Sequence, residues 1–277
     1  MILKSKSLMI ALMAAIALMF TACDNDDEGN PEIGCTDPNA VNYNANAEPG
    51  GDCTYPSLRL HFHGKMGSED FESGKAFAVN GKNVKITTMN FYASNIRLMD
   101  DAGNMTNMFD TTLLVKSSQM MYDLGQINKG HGHMLMFDIG VSEDLNGGMA
   151  KPPADYPTGH PLGLQAPSMA WSWMMGYIFL RMDGQTDLNG DGTYEDAELT
   201  QFHLGTNALK TPVTVMVHSD LDQENNVINI DVDYMKLFEG LDLEARLITH
   251  TGGAGSDART MAEQVASNAA TMFSKQK

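Results

Sequence analysis

Basic side chains are scarce in this sequence, which has 18 Lys and Arg against 35 Asp and Glu and a formal charge of −17. Binding of nucleic acid or polyphosphate depends on clustered Lys and Arg, so we expect no nucleic-acid partner. The same acidic balance attracts cations. Metal ions are therefore the expected partners.

Common catalytic signatures are also missing. The chain has three cysteines, no Gly-x-Ser-x-Gly turn and no His-Glu-x-x-His pair, which mark familiar hydrolase classes. Strand–helix alternation with a glycine-rich phosphate loop is absent as well, which argues against an α/β nucleotide-binding protein. We therefore expect a protein that is not an enzyme.

Long hydrophobic runs are lacking, apart from one near the N-terminus. The apolar run 9–20 follows a basic start and is too short for a spanning helix, which needs ~20 residues. Small residues at its end mark an export signal, and the cysteine that follows them, Cys23, resembles that of a bacterial lipobox. We predict a signal peptide over 1–22, a lipid on Cys23 that anchors the protein to a membrane, and an acidic tether over 23–33. A soluble secreted protein is the alternative.

Residues 34–56 form a small module that contains Cys35 and Cys53 among Asn, Asp, Pro and Gly. Export places the chain in an oxidising compartment, so we predict that the two cysteines pair. A module with so few apolar residues needs that bridge to hold its shape. It resembles a short cysteine module of Bacteroidetes surface proteins, and its oxygen-rich loop is either a calcium site or a simple spacer.

The remaining residues, 57–277, alternate apolar and polar side chains in short runs separated by turn residues. This period of two, without helical spacing, predicts an all-β, antiparallel β-sandwich. Helical spacing returns only near the end and predicts a short C-terminal helix over 259–273. The predicted strands include 58–63, 84–88, 91–99, 113–115, 134–139, 177–182, 213–217 and 227–232.

The two tryptophans of the chain, Trp171 and Trp173, lie two residues apart. On a β-strand they would face the same side, and the predicted return strand would bring His203 beside them. Such a group is either ordinary core packing or a site where indole and imidazole together serve a metal. His61 and His63 also share one strand face and could bind a metal with His203 across the sheet. Their alternative roles are solvent exposure and a hydrogen bond to a buried carbonyl.

These features together resemble the MbnP-like copper-binding family, the methanobactin-associated proteins and their bacterial relatives. The resemblance covers about residues 57–275 and is carried by 91–98, 137–141, Trp171-Ser172-Trp173 with Gly176-Tyr177, and 202–205. It implies a β-sandwich in the cell envelope. It also implies copper held by histidines and by a tryptophan that a di-haem partner oxidises to kynurenine. On this chain those positions are His203, either Trp171 or Trp173, and His61 or His63 as a further ligand.

The chain departs from part of that family, because it lacks the four-cysteine signature that some members carry. The acidic run after Cys23 resembles the surface-export tag of Bacteroidetes lipoproteins. It implies an outer-membrane lipoprotein exposed at the cell surface, whereas an ordinary solvated tether is the alternative.

Between the tryptophans and His203 lies a twelve-residue segment with the spacing of a calcium loop. Oxygen ligands fall at positions one, three and five, with glycine at six and glutamate at twelve. Strands rather than helices flank it, so we predict a structural Ca²⁺, with an empty acidic turn as the alternative. The predicted ligands are Asp187, Asn189, Asp191, the Thr193 carbonyl and Glu198.

The other histidines give weaker signals. His131 and His133 are two residues apart and are expected on a surface turn, whereas His218 and His250 have no evident partners. The sequence thus favours an envelope lipoprotein that captures or stores copper. The alternative is a surface interaction or scaffold lipoprotein with no transition-metal site.

Overall fold

The computed structural model describes residues 32–276, except Met120, Met149, Ser172 and Ala254, and describes only the backbone of Trp173. The predicted signal peptide, Cys23 and most of the acidic tether lie outside the described residues. Within the described part, no helix is both long and apolar enough to cross a membrane.

Strands dominate the described chain. They are β1 Ile33–Gly34, β2 Glu48–Pro49, β3 Ser57–Met66, β4 Glu69–Asp70, β5 Ala76–Val79, β6 Lys82–Met99, β7 Met105–Phe109, β8 Leu113–Lys116, β9 Met121–Gln126, β10 Gly130–Ile139, β11 Ile178–Thr186, β12 Leu199–Gly205, β13 Thr211–Leu221, β14 Asn225–Asp233, β15 Ile248–Thr249 and β16 Phe273–Lys275. Short 3₁₀ helices lie at Glu143–Leu145, Pro153–Asp155, Trp173–Met175, Asp196–Glu198, Asn207–Leu209 and Tyr234–Phe238.

Two large sheets pack face to face. One has nine strands in the order β13-β10-β6-β11-β12-β15, with β5, β7 and β8 also paired to β6. The other has five strands in the order β16-β14-β3-β4, with β9 paired to β3. Rings from both sheets meet in the core, where Phe62 of β3 lies 5.9 Å from Phe91 and 6.0 Å from Phe137 between ring centroids. The β-sandwich prediction is confirmed.

Strand direction differs from the prediction, because the sheets are mixed rather than purely antiparallel. β3 pairs in parallel with β14, and β12 pairs in parallel with β15. Period-two patterning tells which face of a strand is buried and carries no information on direction. The two predicted strands 84–88 and 91–99 are one strand, β6, which is 18 residues long.

The predicted helix and disulfide are both present. The helix, α1, spans Asp257–Ala269, and the Ser256 hydroxyl caps it by accepting the Arg259 amide. Cys35 and Cys53 are bonded, with 5.0 Å between their Cα atoms. They close the small N-terminal module that also contains β1 and β2.

A second, smaller core covers the outer face of the nine-stranded sheet. Leu162 and Met169 of the connection before β11 are buried there, together with Tyr92, Tyr177 and Phe179. The Tyr92 hydroxyl donates to the Pro161 carbonyl at 3.0 Å, and burial raises the pKa of Tyr92 well above its ordinary value. The long connection is therefore fixed on the sheet and carries Trp171 to a defined position.

Candidate metal centre

The tryptophan segment is a tight reversal rather than a strand. Ala170 bridges Tyr177, the Trp171 amide donates to the Gly176 carbonyl at 3.2 Å, and Trp173–Met175 form one 3₁₀ turn. Gly176 has φ 79°, which lets the chain turn back. The prediction that both tryptophans lie on a strand was wrong, because this turn interrupts the apparent alternation. The Trp173 indole lies outside the described atoms.

Trp171 lies against the end of β12. A Cβ built on Gly205 would overlap Cζ3 of the Trp171 ring and would lie 2.5 Å from the Tyr177 carbonyl oxygen. Only glycine therefore allows the indole to rest on this strand. Since His203 and Gly205 are two residues apart on β12, Trp171 and His203 are on the same face of the sheet.

His203 is buried and belongs to a charged group on that face. Its Nε2 lies 2.7 Å from Asp183 Oδ1, and Arg181 Nε donates to Asp183 Oδ2 at 2.6 Å. Burial alone would raise the pKa of the Asp183 carboxyl, but the hydrogen bonds from His203 and Arg181 outweigh it and lower that pKa to about 2. Asp183 is therefore an ionised anchor for the imidazole.

His250 joins this group from a strand far along the sequence. Phe202 of β12 is in register with Thr249 of β15, so the next residues, His203 and His250, are neighbours. Their rings stack with centroids 4.7 Å apart and planes 7° from parallel. Burial, and then the charge of His203, lower the pKa of His250. Sequence analysis missed this residue, because nothing near it in the chain indicates its partner.

The side chains of this group, two imidazoles and a nearby thioether, are of the kinds that copper accepts as ligands. Imidazole suits copper, and Cu(I) also accepts thioether sulfur. Trp171, Met175 and His250 line one open cleft at this end of the sheet. Imidazole lone pairs lie in the ring plane, so two parallel rings do not converge on one point. A shared ion requires one ring to turn, and His250 is the exposed one.

His61 and His63 are not brought to this group. As predicted they share a strand face, and their rings stack 6.1 Å apart. Their strand β3 belongs to the five-stranded sheet, and its Leu60 and Phe62 face the core, so both histidines face outward on the opposite side of the sandwich from His203. His61 Nδ1 lies 2.9 Å from Asn229 Oδ1, and His63 Nδ1 lies 3.1 Å from Asp231 Oδ1. The structure therefore does not support either as a ligand beside His203.

The acidic loop between β11 and β12 holds two buried carboxylates. Asp187 is 2% exposed and Glu198 is 4% exposed. The Asp187 carboxylate accepts the Gly190 and Gly192 amides at 2.7 and 3.1 Å, and Glu198 accepts the Leu188 amide at 2.9 Å. Further out, Asn189 and Asp191 each accept a backbone amide, those of Asp191 and Thr193 at 2.9 and 2.8 Å. Backbone amides thus hold the first and last positions of the loop in place.

A second group of histidines lies at the start of β10. Asp101, His133 and His218 each offer a ligand atom, and these atoms all lie within 4.8 Å of one another. The described chain therefore contains a possible His/Asp metal site. The expectation that His131 and His133 occupy a simple surface turn was wrong, because both are on β10 and acidic side chains converge on them.

Comparison with known proteins gives two matches. The sequence model of the MbnP family matches residues 55–260. Among solved structures, MbnP from Methylosinus trichosporium aligns with a TM-score of 0.53 and 16% identity, over 74% of this chain and 86% of that chain. At this identity the second match speaks for the fold alone. No curated protein sequence matches significantly.

Proposed function

Because this chain belongs to the MbnP family, we propose that it is a copper-binding protein of the cell envelope that captures or stores the metal. The observation that carries the proposal is the stacked His203–His250 pair, anchored by Asp183 beside Trp171. His203 and His250 would hold the ion, and the exposed Met175 thioether in the same cleft would add a soft donor.

Trp171 is the candidate for oxidation. Conversion to kynurenine breaks the C2–C3 bond of the indole, adds two oxygen atoms from an external oxidant and releases formate on hydrolysis. The product carries an arylamine, a better metal donor than the intact indole. A di-haem partner enzyme would supply the oxidising centre. Intact-mass and fragment analysis of protein purified from its native host tests this, and an unmodified Trp171 in copper-loaded protein would remove the modification from the proposal.

Copper titration of the metal-free mature chain tests the site itself. Competition with a chromophoric Cu(I) chelator should give tight binding in the wild type and a loss of at least about tenfold in His203→Ala and His250→Ala, as expected when a ligand is removed. His160→Ala is the matched control, because His160 lies in the long connection with its Nδ1 accepting the Leu162 amide. His61→Ala and His63→Ala should also retain binding.

Equal copper affinity in all of these variants would place the metal elsewhere. If no copper binds above background, the result would favour the alternative, a surface interaction protein whose aromatic and histidine cluster is only part of its packed core.

We also propose that the loop from Asp187 to Glu198 binds Ca²⁺ through Asp187, Asn189, Asp191, the Thr193 carbonyl and Glu198. Two buried carboxylates at its ends support this, since their hydrogen bonds come from neutral backbone amides and leave the negative charges for a cation to balance. At ten times the dissociation constant, Ca²⁺ would add about 1.4 kcal/mol to the free energy of unfolding. Thermal unfolding with and without a chelator should show this gain, and Asp191→Asn should abolish it. An equal gain in that variant would refute the assignment.

The predicted lipid on Cys23 completes the proposal, with the chain held at the outer membrane and the acidic tether leading to the surface. Incorporation of an alkyne-tagged fatty acid into the wild type, lost in Cys23→Ser, tests the anchor. Protease accessibility on whole cells tests surface exposure. A Cys23→Ser chain that still carries label would contradict the assignment.

A further inference from the structure

The His/Asp group at the start of β10, formed by Asp101, His133 and His218, is separate from the copper site proposed above. Arg181 of β11 pairs with His203 on one side and with Asn90 of β6 on the other, so His203 lies at the level of Asn90. The His/Asp group lies beyond Met99 of β6, which pairs with Met134. Nine residues of strand at about 3.3 Å each separate the two levels, roughly 30 Å along β6. One ion cannot serve both groups.

A local irregularity in the sheet builds this group. Gly132 pairs with Ser219, but Met134 pairs with Met216, so Val217 and His218 of β13 together oppose the single residue His133. Such a β-bulge re-aims a side chain, and His218 adopts φ 39° there. The result places the two imidazole rings 4.3 Å apart and perpendicular. Perpendicular rings, unlike stacked ones, can direct their lone pairs to one point.

The carboxylate comes from the turn after β6. Asp101 Oδ1 lies 2.7 Å from His133 Nδ1, and its other oxygen, Oδ2, lies 3.8 Å from His131 Nε2. Although His133 Nδ1 is buried, this short contact lacks hydrogen-bond geometry, and the atom has no hydrogen-bond partner. A buried ring nitrogen in short contact with a carboxylate, but outside hydrogen-bond geometry, is arranged as one of a pair of metal ligands would be.

His131 and Asp220 support the group from its rim. His131 Nδ1 lies 2.7 Å from Asp220 Oδ1, which fixes the ring with Nε2 toward Asp101. A carboxylate that orients a histidine in this way is the usual outer-shell partner in metal sites. His131 thus lies at the edge of the group, 3.8 Å from Asp101, and Asp220 positions it.

We propose that Asp101, His133 and His218 form a surface binding site for a divalent cation of the zinc class, with His131 beside it. Two imidazoles and a carboxylate match the ligands of Zn²⁺ sites that keep an open position. Calcium, which takes oxygen ligands, does not match this set. Zinc bonds of ~2.1 Å place tetrahedral ligands about 3.4 Å apart, so the 2.7 Å contact between Asp101 and His133 must widen and the spacings of up to 4.8 Å must contract. Asp101 and His218 are exposed and can move.

Titration of the chelator-treated mature chain with Zn²⁺ and Co²⁺ tests the proposal. It is made in the His203→Ala, His250→Ala background, so that the proposed copper site cannot contribute. We expect one equivalent of Zn²⁺ by calorimetry and visible absorption from tetrahedral Co²⁺. His133→Gln, Asp101→Asn and His218→Asn should each weaken Zn²⁺ binding more than Asp220→Asn, for which about tenfold is expected.

Matched controls are Asp123→Asn, an exposed carboxylate on β9, and His160→Asn, whose amide oxygen can still accept the Leu162 amide. Asparagine is used at His218 because it tolerates the left-handed backbone. Asp101 is in an exposed turn, so Asp101→Asn should fold even if a strand variant does not. Absence of Zn²⁺ and Co²⁺ binding, or binding that survives in Asp101→Asn and His133→Gln, overturns the proposal and leaves the copper proposal untouched.

Discussion

At the scale of single residues, the Trp171 end of the nine-stranded sheet depends on positions where only one side chain fits. Gly205 is the clearest case, because the indole occupies the space that any Cβ would take. Asp183 is a second, since one of its oxygens contacts both His203 and Gln201 and the other accepts from Arg181. Both positions can be tested without metal.

Gly205→Ala should displace Trp171 and lower the free energy of unfolding by about 1–3 kcal/mol, the cost of overfilling a packed site. In a Trp173→Phe background, the fluorescence of Trp171 should shift to that of a more exposed indole. Gly253→Ala, in the same cleft, is the control, because a Cβ there meets nothing within 4 Å. Unchanged fluorescence and stability in Gly205→Ala would show that the indole does not rest on β12.

Asp183 should make the metal-free protein sensitive to acid in a defined range. The folded pKa is about 2, below the ordinary value of 3.8, so its stabilising effect is complete above about pH 4 and is lost as the pH falls toward 2. We expect a loss of about 1–2 kcal/mol over that range. Urea unfolding of Asp183→Asn should show a flatter pH dependence there, whereas exposed Asp123→Asn should follow the wild type.

Site residues could be predicted from the sequence only where residues that are close together in the chain form the site. The calcium-loop spacing and the shared face of His61 and His63 are local patterns. The partnership of His203 with His250 depends on parallel pairing of β12 with β15, and that of His133 with His218 on a bulge. Neither pairing leaves a mark in the sequence near those residues.

At the scale of elements, the strands were predictable and their ends and directions were not. Alternating side chains located β3, β10, β13 and β14, because one face of each packs against the core. The prediction of a strand through the tryptophan segment was wrong, since a one-turn helix and Gly176 interrupt a pattern that looked continuous. The terminal helix was found by its spacing, and a buried amide adds a polar attachment to the sandwich beside the helix's apolar core contacts.

Asn268 of α1 provides that attachment. Its Nδ2 donates to the Leu237 and Glu239 carbonyls at 3.1 and 2.7 Å. Asn268→Ala should lower the free energy of unfolding by about 1–3 kcal/mol, because the buried Leu237 carbonyl loses its donor. Chemical denaturation measures this, with exposed Ser267→Ala on the same helix as control. A loss no larger than that of Ser267→Ala would mean that other contacts hold α1.

At the scale of the whole molecule, the described part of the chain is a small bridged module followed by one large sandwich. The module has few buried apolar residues, chiefly Ala40 and the Cys35 side chain. The sandwich has an extensive core of its own. The two parts should therefore respond differently when the bridge is removed.

Replacing both Cys35 and Cys53 by serine should unfold the module and leave the thermal midpoint of the sandwich unchanged. A module of this size lacks the core to fold without its bridge. Limited proteolysis should cut within residues 34–56 in the variant and spare them in the oxidised wild type. A sandwich midpoint lowered by several degrees would show instead that the module stabilises the larger domain.

The Phe273 ring lies within 6.4 Å of Phe62, 5.5 Å of Phe91 and 5.0 Å of Phe137, measured between centroids. β16 therefore places an aromatic ring in the middle of a core whose other rings come from much earlier in the chain. Contacts between such distant segments form late and slowly. A nascent polypeptide that has not yet produced β16 therefore lacks one of the rings through which its two layers meet.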